Sequence, residues 1–231
     1  MLKYIFFFLL NIISKIHMRR LQVFFKNKRI NIIFDVGAHN GDFVDSFYSQ
    51  HPESKFYCFE PLKKHYLYLK KKYLNNNHVK IYNKGIGEKN DTLNLNVNIA
   101  TNASSFSEFN EKALFYRLRK FLLGTSKITT RTEKCEVINL DSFLIKNHIP
   151  NIDLLKIDVE GFELNVLKGA INTLKNTKYV IIEVTLSNIF KNYYKDEIIN
   201  VLENSGFKLE KSYLFPARNF EDRIYKNTNI E

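Results

Sequence analysis

"INIIFDVGAHNGDF", Ile30–Phe43, decides the fold. An apolar run ends in an acid, turns through two glycines and opens directly into a helical pattern. A strand that is apolar on both faces belongs in a parallel sheet covered on both sides. The helix that follows, "GDFVDSFYSQ" (41–50), places Phe43, Val44 and Phe47 on one face. The loop between them reads D-x-G-x-x-x-G, from Asp35 through Gly37 to Gly41. Gly37 lets the chain turn sharply, and Gly41 lets the helix start close to a ligand.

The same alternation runs outward. "KFYCFE" (55–60) reads as a second strand and "LKKHYLYLKKKYL" (62–74) as a second helix, with Leu62, Tyr66, Leu69 and Tyr73 on one face. "VKIYNKGIG" (79–87) is a third strand running into a loop. Further on come "IDLLKIDV" (152–159), a helix marked by Leu164, Leu167, Ile171 and Leu174, and the strand "KYVIIEVTL" (178–186). A helix near Lys195–Asn204, a strand at 207–215 and a last one in "DRIYKN" complete the series. This pattern predicts an α/β fold, a mostly parallel sheet with helices on both faces. "DTLNLNVNIA" (91–100) alternates polar and apolar, as an exposed antiparallel strand would, with "EKCEVINL" (133–140) as partner. Between them an insertion, about residues 99–132, carries the helix-like "EKALFYRLRKFLL" (111–123) and is expected to form a substrate lid. Sparse Gly and Pro, 8 and 4, give no long linker, so residues 30–231 read as one domain after an N-terminal segment, 1–29.

Three strand ends carry ligand-binding chemistry. A dinucleotide loop would read G-x-G-x-x-G and admit a pyrophosphate at its middle glycine, but His39 fills that place here. A bulky residue there fits a ligand without a pyrophosphate, such as S-adenosylmethionine, whose ammonium Asp35 could meet. On its own the loop is equally a plain strand-helix turn. Glu60, at the tip of the second strand, could chelate two ribose hydroxyls, and Pro61 opens the next helix. Gly85 and Gly87 let the backbone of Ile86 approach an adenine ring. In open α/β sheets such strand ends converge on one crevice.

These residues resemble a known family. "FDVGAHNG", "FYCFEP", "NKGIG" and "LLKIDVEGFELNVLKGA", with "VIIEV" after them, are similar to the FkbM-family methyltransferases, in order from about Ile30 to Val184. The resemblance implies a class I (Rossmann-like) S-adenosylmethionine-dependent fold and O-methylation, often of sugars or polyketides. It places Asp35, Gly37, His39, Gly41, Glu60 and Ile86, with Pro61 and Gly87 beside them, around the cofactor. The "NASSF" serines, Ser104 and Ser105, resemble an element of the family's variable middle. The N-terminal thirty residues and the segment after Leu186 match only loosely, so the acceptor is left open.

A sugar hydroxyl is a poor nucleophile, and a base or metal should assist it. Asp158, at the tip of the "IDLLKIDV" strand, is the candidate for contacting the sulfonium or ammonium, or for taking the hydroxyl proton. Glu160 could share these roles. Glu183 ends the next strand and stands beside Asp158; the pair could bind one Mg²⁺, but no third ligand is evident and no metal site is predicted. Glu163 reads as a helix-start charge and His65 as a helix-surface residue. Lys156, one position inside its strand, is placed to pair with an acid.

Composition sets the remaining bounds. The formal net charge of +11 invites an anionic partner, although a solvated Lys-rich surface accounts for it as well. A nucleic-acid methyltransferase is disfavoured, because the strand tip reads D-V-E-G where base N-methylation uses [DN]-P-P-[FY]. A NAD-dependent oxidoreductase is disfavoured by His39, and a binding protein without catalysis is the bland alternative. Cys58 and Cys135 show no metal spacing, which suits reduced thiols in a cytoplasmic protein, and the six His residues show no zinc pattern. "MLKYIFFFLLNIISKI" is shorter than the roughly 20 residues that span a bilayer. It reads either as an interfacial helix, with residues 1–30 touching an anionic membrane at the inner face, or as a helix packed on the domain. The expected substrate is a small molecule or glycan; oligomeric state is unread.

Overall fold

The computed structural model describes residues 2–99, 101–215 and 219–230, with the backbone alone for 2–12, 14 and 102. The elements run α1 (Leu2–Phe25), β1 (Ile32–Val36), α2 (Asp42–Tyr48), β2 (Lys55–Phe59), α3 (Lys63–Lys72), β3 (Val79–Tyr82), β4 (Gly85–Ile86) and β5 (Asp91–Asn98). A 3-10 turn (Thr101–Ala103) leads to α4 (Leu114–Leu123), β6 (Thr129–Ile138), α5 (Leu140–Lys146), β7 (Ile152–Ile157), α6 (Glu163–Lys168) and α7 (Ile171–Lys175). Then come β8 (Thr177–Thr185), α8 (Lys195–Asn204), β9 (Phe207–Leu214) and β10 (Phe220–Asn227). Seven strands form the main sheet in the order β3-β2-β1-β7-β8-β10-β9. All its pairings are parallel except those of β10 with β8 and β9. The expected α/β class is what the structure has.

Strand parity divides the core. On β1, Phe34 and Val36 join one apolar cluster, with Phe59, Leu155, Ile157 and Ile182, while Ile33 joins a second on the opposite face, with Phe56, Cys58, Leu154 and Ile181. Helix α1 belongs to the second cluster. Its Leu21 and Phe25 are buried there, and the Phe25 ring lies 5.7 Å from Phe47 and 5.5 Å from Tyr179. His17 pairs with Asp222 of β10 and stacks on Phe215. Residues 17–25 are thus packed on the domain. The apolar side chains of residues 2–12, on which the interfacial reading rests, lie outside the described residues. Among the described residues no helix is long and apolar enough to cross a membrane.

Three expectations need correction. The predicted strand 79–87 is two strands in two sheets. The Asn83 amide donates to the carbonyls of Glu60 and Pro61 at 3.0 and 2.8 Å, which ends β3, and β4 pairs with β6 instead. The helix after β7 breaks at Gly169, where a Cβ would lie 1.9 Å from the Gly87 carbonyl oxygen. The predicted strand 133–140 stops at Ile138 and helix α5 starts at Leu140, running on through residues given no element; Asn139 caps it by accepting from the Ser142 N–H at 2.8 Å. The predicted antiparallel partner of 91–100 is real: β5 pairs with β6 in a second sheet, order β4-β6-β5.

Candidate functional site

Register sets the site. Val36 stands opposite both Phe59 and Ile157, so the residues just beyond these strands gather at one edge. The crevice there is lined by Gly37, His39, Glu60, Pro61, Ile86, Ser104, Ser105, Asp158 and Glu160 among the residues singled out by sequence. Asp35, Gly41, Gly87 and Glu183 do not line it.

The loop after β1 is pinned from below. Gly37 and Ala38 N–H groups donate to the Phe59 carbonyl at 3.0 and 3.1 Å. Gly37 has φ +90°, and a Cβ on it would fall 1.9 Å from the Asp158 carbonyl oxygen. The two strand-end loops therefore touch through a position only glycine can fill. At Gly41 the missing Cβ makes room for Tyr73 and Leu69 of α3, not for a ligand. Gly87 lies against Val137 and Phe162. Pro61 stands two residues before α3, at the crevice wall.

The carboxylate of Glu60 accepts from the His39 N–H and from the Leu62 N–H, both at 2.8 Å. It binds the first loop to the start of α3. Burial lifts its pKa to about 7 against the pull of those two donors. The His39 ring lies tilted against that of His65, centroids 4.1 Å apart. Burial, with His65 adding, lowers the His39 pKa to about 4, so its ring is neutral. His65 is buried, contrary to the surface reading. It lies one turn before Leu69 on the face that packs inward, and it shares hydrogen bonds with Asn40 Oδ1 at 2.8 Å and Thr101 Oγ1 at 2.9 Å.

Asp35 lies under the crevice and not in it, because strand parity turns it to the face opposite Val36. It is fully buried, and Lys156 Nζ bridges it to Asp158, 3.2 Å from each. Burial raises the Asp35 pKa, with Lys156 opposing. Burial also works against the Lys156 charge, but Asp158 and Asp35 more than offset this and hold its pKa above the usual lysine value. Asp35, expected to meet a ligand ammonium directly or through water, here pairs with an internal cation.

The turn after β7 passes through Glu160 at φ +54° and Gly161 at φ +93°. Glu163 stands in the first turn of α6, as read from sequence, and does more there. It is buried, and its Oε1 accepts from the Gly161 N–H at 3.0 Å and the Val159 N–H at 3.4 Å, closing the turn from inside. Burial raises its pKa to about 7. Glu160 is partly exposed, but its Oε2 is enclosed and has no hydrogen-bond partner. Burial lifts its pKa to about 8, with Arg119 of α4 opposing and Asp158 and Glu163 adding. Glu183 follows Ile182, the partner of Ile157, so it stands beside Asp158 and opposite Asp222. Burial, with Asp158, Glu160 and Asp222 adding, pushes it well above the ordinary carboxyl value. Among the described residues no group of three or more His, Cys, Asp or Glu is arranged to hold a metal ion.

The insertion closes over this turn. Ser105 Oγ donates to the Glu160 carbonyl, and Ser107 Oγ donates to the Gly161 carbonyl at 2.7 Å. Ser104 Oγ accepts from the Asn98 N–H at 3.2 Å. Phe106 lines the crevice and packs on Phe162 at 5.3 Å. Thr101, Phe106, Ser107, Lys84 and Arg119 escaped the sequence reading; the S-S-F-S run held the only signal for two of them.

The methyltransferase FkbM domain family matches residues 35–209. Over 62 residues the chain is 37% identical to the hexuronic acid methyltransferase AglP of Haloferax volcanii, a match spanning 26% of this chain and 26% of that relative's length. Similar folds include the N-methyltransferase NodS of Bradyrhizobium japonicum WM9, with 6% identity over 94% of this chain and 97% of that one and a TM-score of 0.53. Methanococcus jannaschii fibrillarin, a pre-rRNA processing protein, has 14% identity over 88% and 69% and a TM-score of 0.51. At such identities these two likenesses are of fold alone. The sequence match over most of the chain goes further: the chain belongs to the FkbM methyltransferase family, on a class I S-adenosylmethionine-dependent framework.

Proposed function

We propose that this chain transfers a methyl group from S-adenosylmethionine to a hydroxyl of a sugar, glycolipid or surface-polysaccharide precursor. The observation that carries the proposal is Glu160, which lines the crevice with Asp158 and whose buried Oε2 has no hydrogen-bond partner. The crevice residues suit the cofactor. Glu60 offers a carboxylate to ribose hydroxyls, Ile86, Phe59 and Phe106 offer apolar surface to a base, and Asp158 and Glu160 offer acidic groups to a sulfonium. When bound, the cofactor supplies an electrophilic methyl group. The protein's own work is to orient the acceptor and move its proton. A carboxyl with a pKa near 8 is a base matched to neutral conditions. Ionised Glu160 would take the acceptor's hydroxyl proton on its carboxylate as the oxygen–methyl bond forms and the sulfonium–methyl bond breaks, the sulfur leaving as a neutral thioether. Asp158, held on one oxygen by Lys156, keeps the other free to orient the hydroxyl. The partial likeness to a hexuronic acid methyltransferase supports the sugar class, and the acid-lined wall weighs against phosphate-rich acceptors.

Titration calorimetry with S-adenosylmethionine and with NAD tests the cofactor; heat with NAD alone would refute it. Labelled-methyl transfer to uronic-acid-containing glycans tests the acceptor. The expected product is an ether that survives mild alkali; an alkali-labile ester or a methylated amine would overturn the hydroxyl assignment.

A further inference from the structure

Helix α4 has two faces with different fates. Tyr116 and Leu123 are buried in the fold. Leu114, Leu118 and Phe121, spaced i, i+4 and i+7 on the other side, are 79%, 49% and 74% exposed. Such spacing makes one continuous apolar stripe. Arg117 flanks it on one side, with Lys120 further round over the Tyr116 ring, and α4 carries no Asp or Glu. Helix α1 packs against α4 and likewise carries no acid over its whole length. Its described outer positions repeat the pattern, with Lys15, Arg19 and Arg20 exposed beside Ile16 and Val23.

We infer that α4, together with the adjoining α1, docks this protein in the headgroup plane of an anionic lipid surface. An apolar stripe edged by cations is what a helix lying in that plane requires. Each Lys or Arg near an anionic leaflet adds about 1 kcal/mol of attraction. A second copy of the chain would bring two pairs of acid-free cationic helices together, which Coulomb repulsion opposes. A nucleic-acid backbone would match the cations but leave the Leu-Leu-Phe stripe uncovered.

The test is co-sedimentation of the full chain with phosphatidylcholine vesicles, with and without phosphatidylglycerol. Binding is expected only with the anionic lipid and should weaken with salt. The triple variant Leu114→Ser, Leu118→Ser, Phe121→Ser should bind at least about tenfold more weakly while keeping the wild-type thermal transition, since all three side chains face outward. Arg117→Glu with Lys120→Glu should lose the preference for anionic vesicles. No binding by the wild-type chain, or equal binding by the triple variant, would overturn the inference. So would sedimentation velocity showing a dimer that the triple variant dissociates.

Discussion

Glu160 and Glu163 stand three residues apart and are fitted for different work. Each keeps its Oε2 buried without a partner, but Glu163 is closed into its own turn through Oε1, whereas Glu160 lines the crevice. Glu160→Gln should lower kcat by about 10²–10⁴-fold with little change in S-adenosylmethionine affinity. The wild-type rate should rise with pH through about 8, the value for Glu160, and the variant should lose that limb. A variant as active as wild type would remove Glu160 from the chemistry. Glu163→Gln, which keeps an acceptor for the turn, should cost far less. Gly37→Ala should fail differently: strain at φ +90° of about 1–3 kcal/mol comes on top of the collision with the Asp158 carbonyl, so melting and cofactor binding should both suffer. The sequence placed Gly37 and Glu160 just beyond strand ends, where the structure has them. What it could not tell was burial: Asp35 and Val36 are neighbours on one strand, and parity alone sends Val36 to the crevice and Asp35 beneath it.

Among elements, the long strands and paired helices were legible because their period was uninterrupted over many residues. Helix α8, read from sequence as Lys195–Asn204, has those bounds. Helix α5 was not legible, since its apolar residues continue a strand-like run and only the Asn139–Ser142 cap marks the change. The split of β3 from β4 depends on the Asn83 amide reaching residues far away in sequence, which no local pattern encodes. Two serine hydroxyls are among the contacts that tie the insertion to the turn after β7. Removing both, by Ser105→Ala with Ser107→Ala, should cost about 0.5–1.5 kcal/mol each. It should also speed proteolytic cleavage between residues 101 and 124 and lower kcat more than the melting temperature suggests. Unchanged proteolysis would show that the cover is held elsewhere.

For the whole molecule, the buried acids set a pH dependence. Folded, Glu60, Glu160 and Glu163 keep their protons to about pH 7, 8 and 7; unfolded, they release them near 4.5. The folded state then binds more protons between those values, and stability falls as pH rises through them. His39 acts oppositely below 6.5, because its folded value is about 4. The fall should therefore be clearest from pH 6.5 to beyond 8, and Glu163→Gln should flatten it. A melting temperature constant across that window would contradict the burial of these groups. Deleting residues 1–29 tests how far the first helix belongs to the domain. It removes Leu21 and Phe25 from the second core cluster, where large side chains are worth about 2–5 kcal/mol each, so the shortened chain should melt at a much lower temperature.

Cys58 stands opposite Asp35 across the β1–β2 pair, fully buried. Burial, with Asp35 adding, pushes its thiol well above the usual value. Capture by iodoacetamide must then wait for the sheet to part. The chain carries its own stopwatch between β1 and β2, and the slowing of alkylation by a bound ligand would read out how firmly that ligand holds the two strands together.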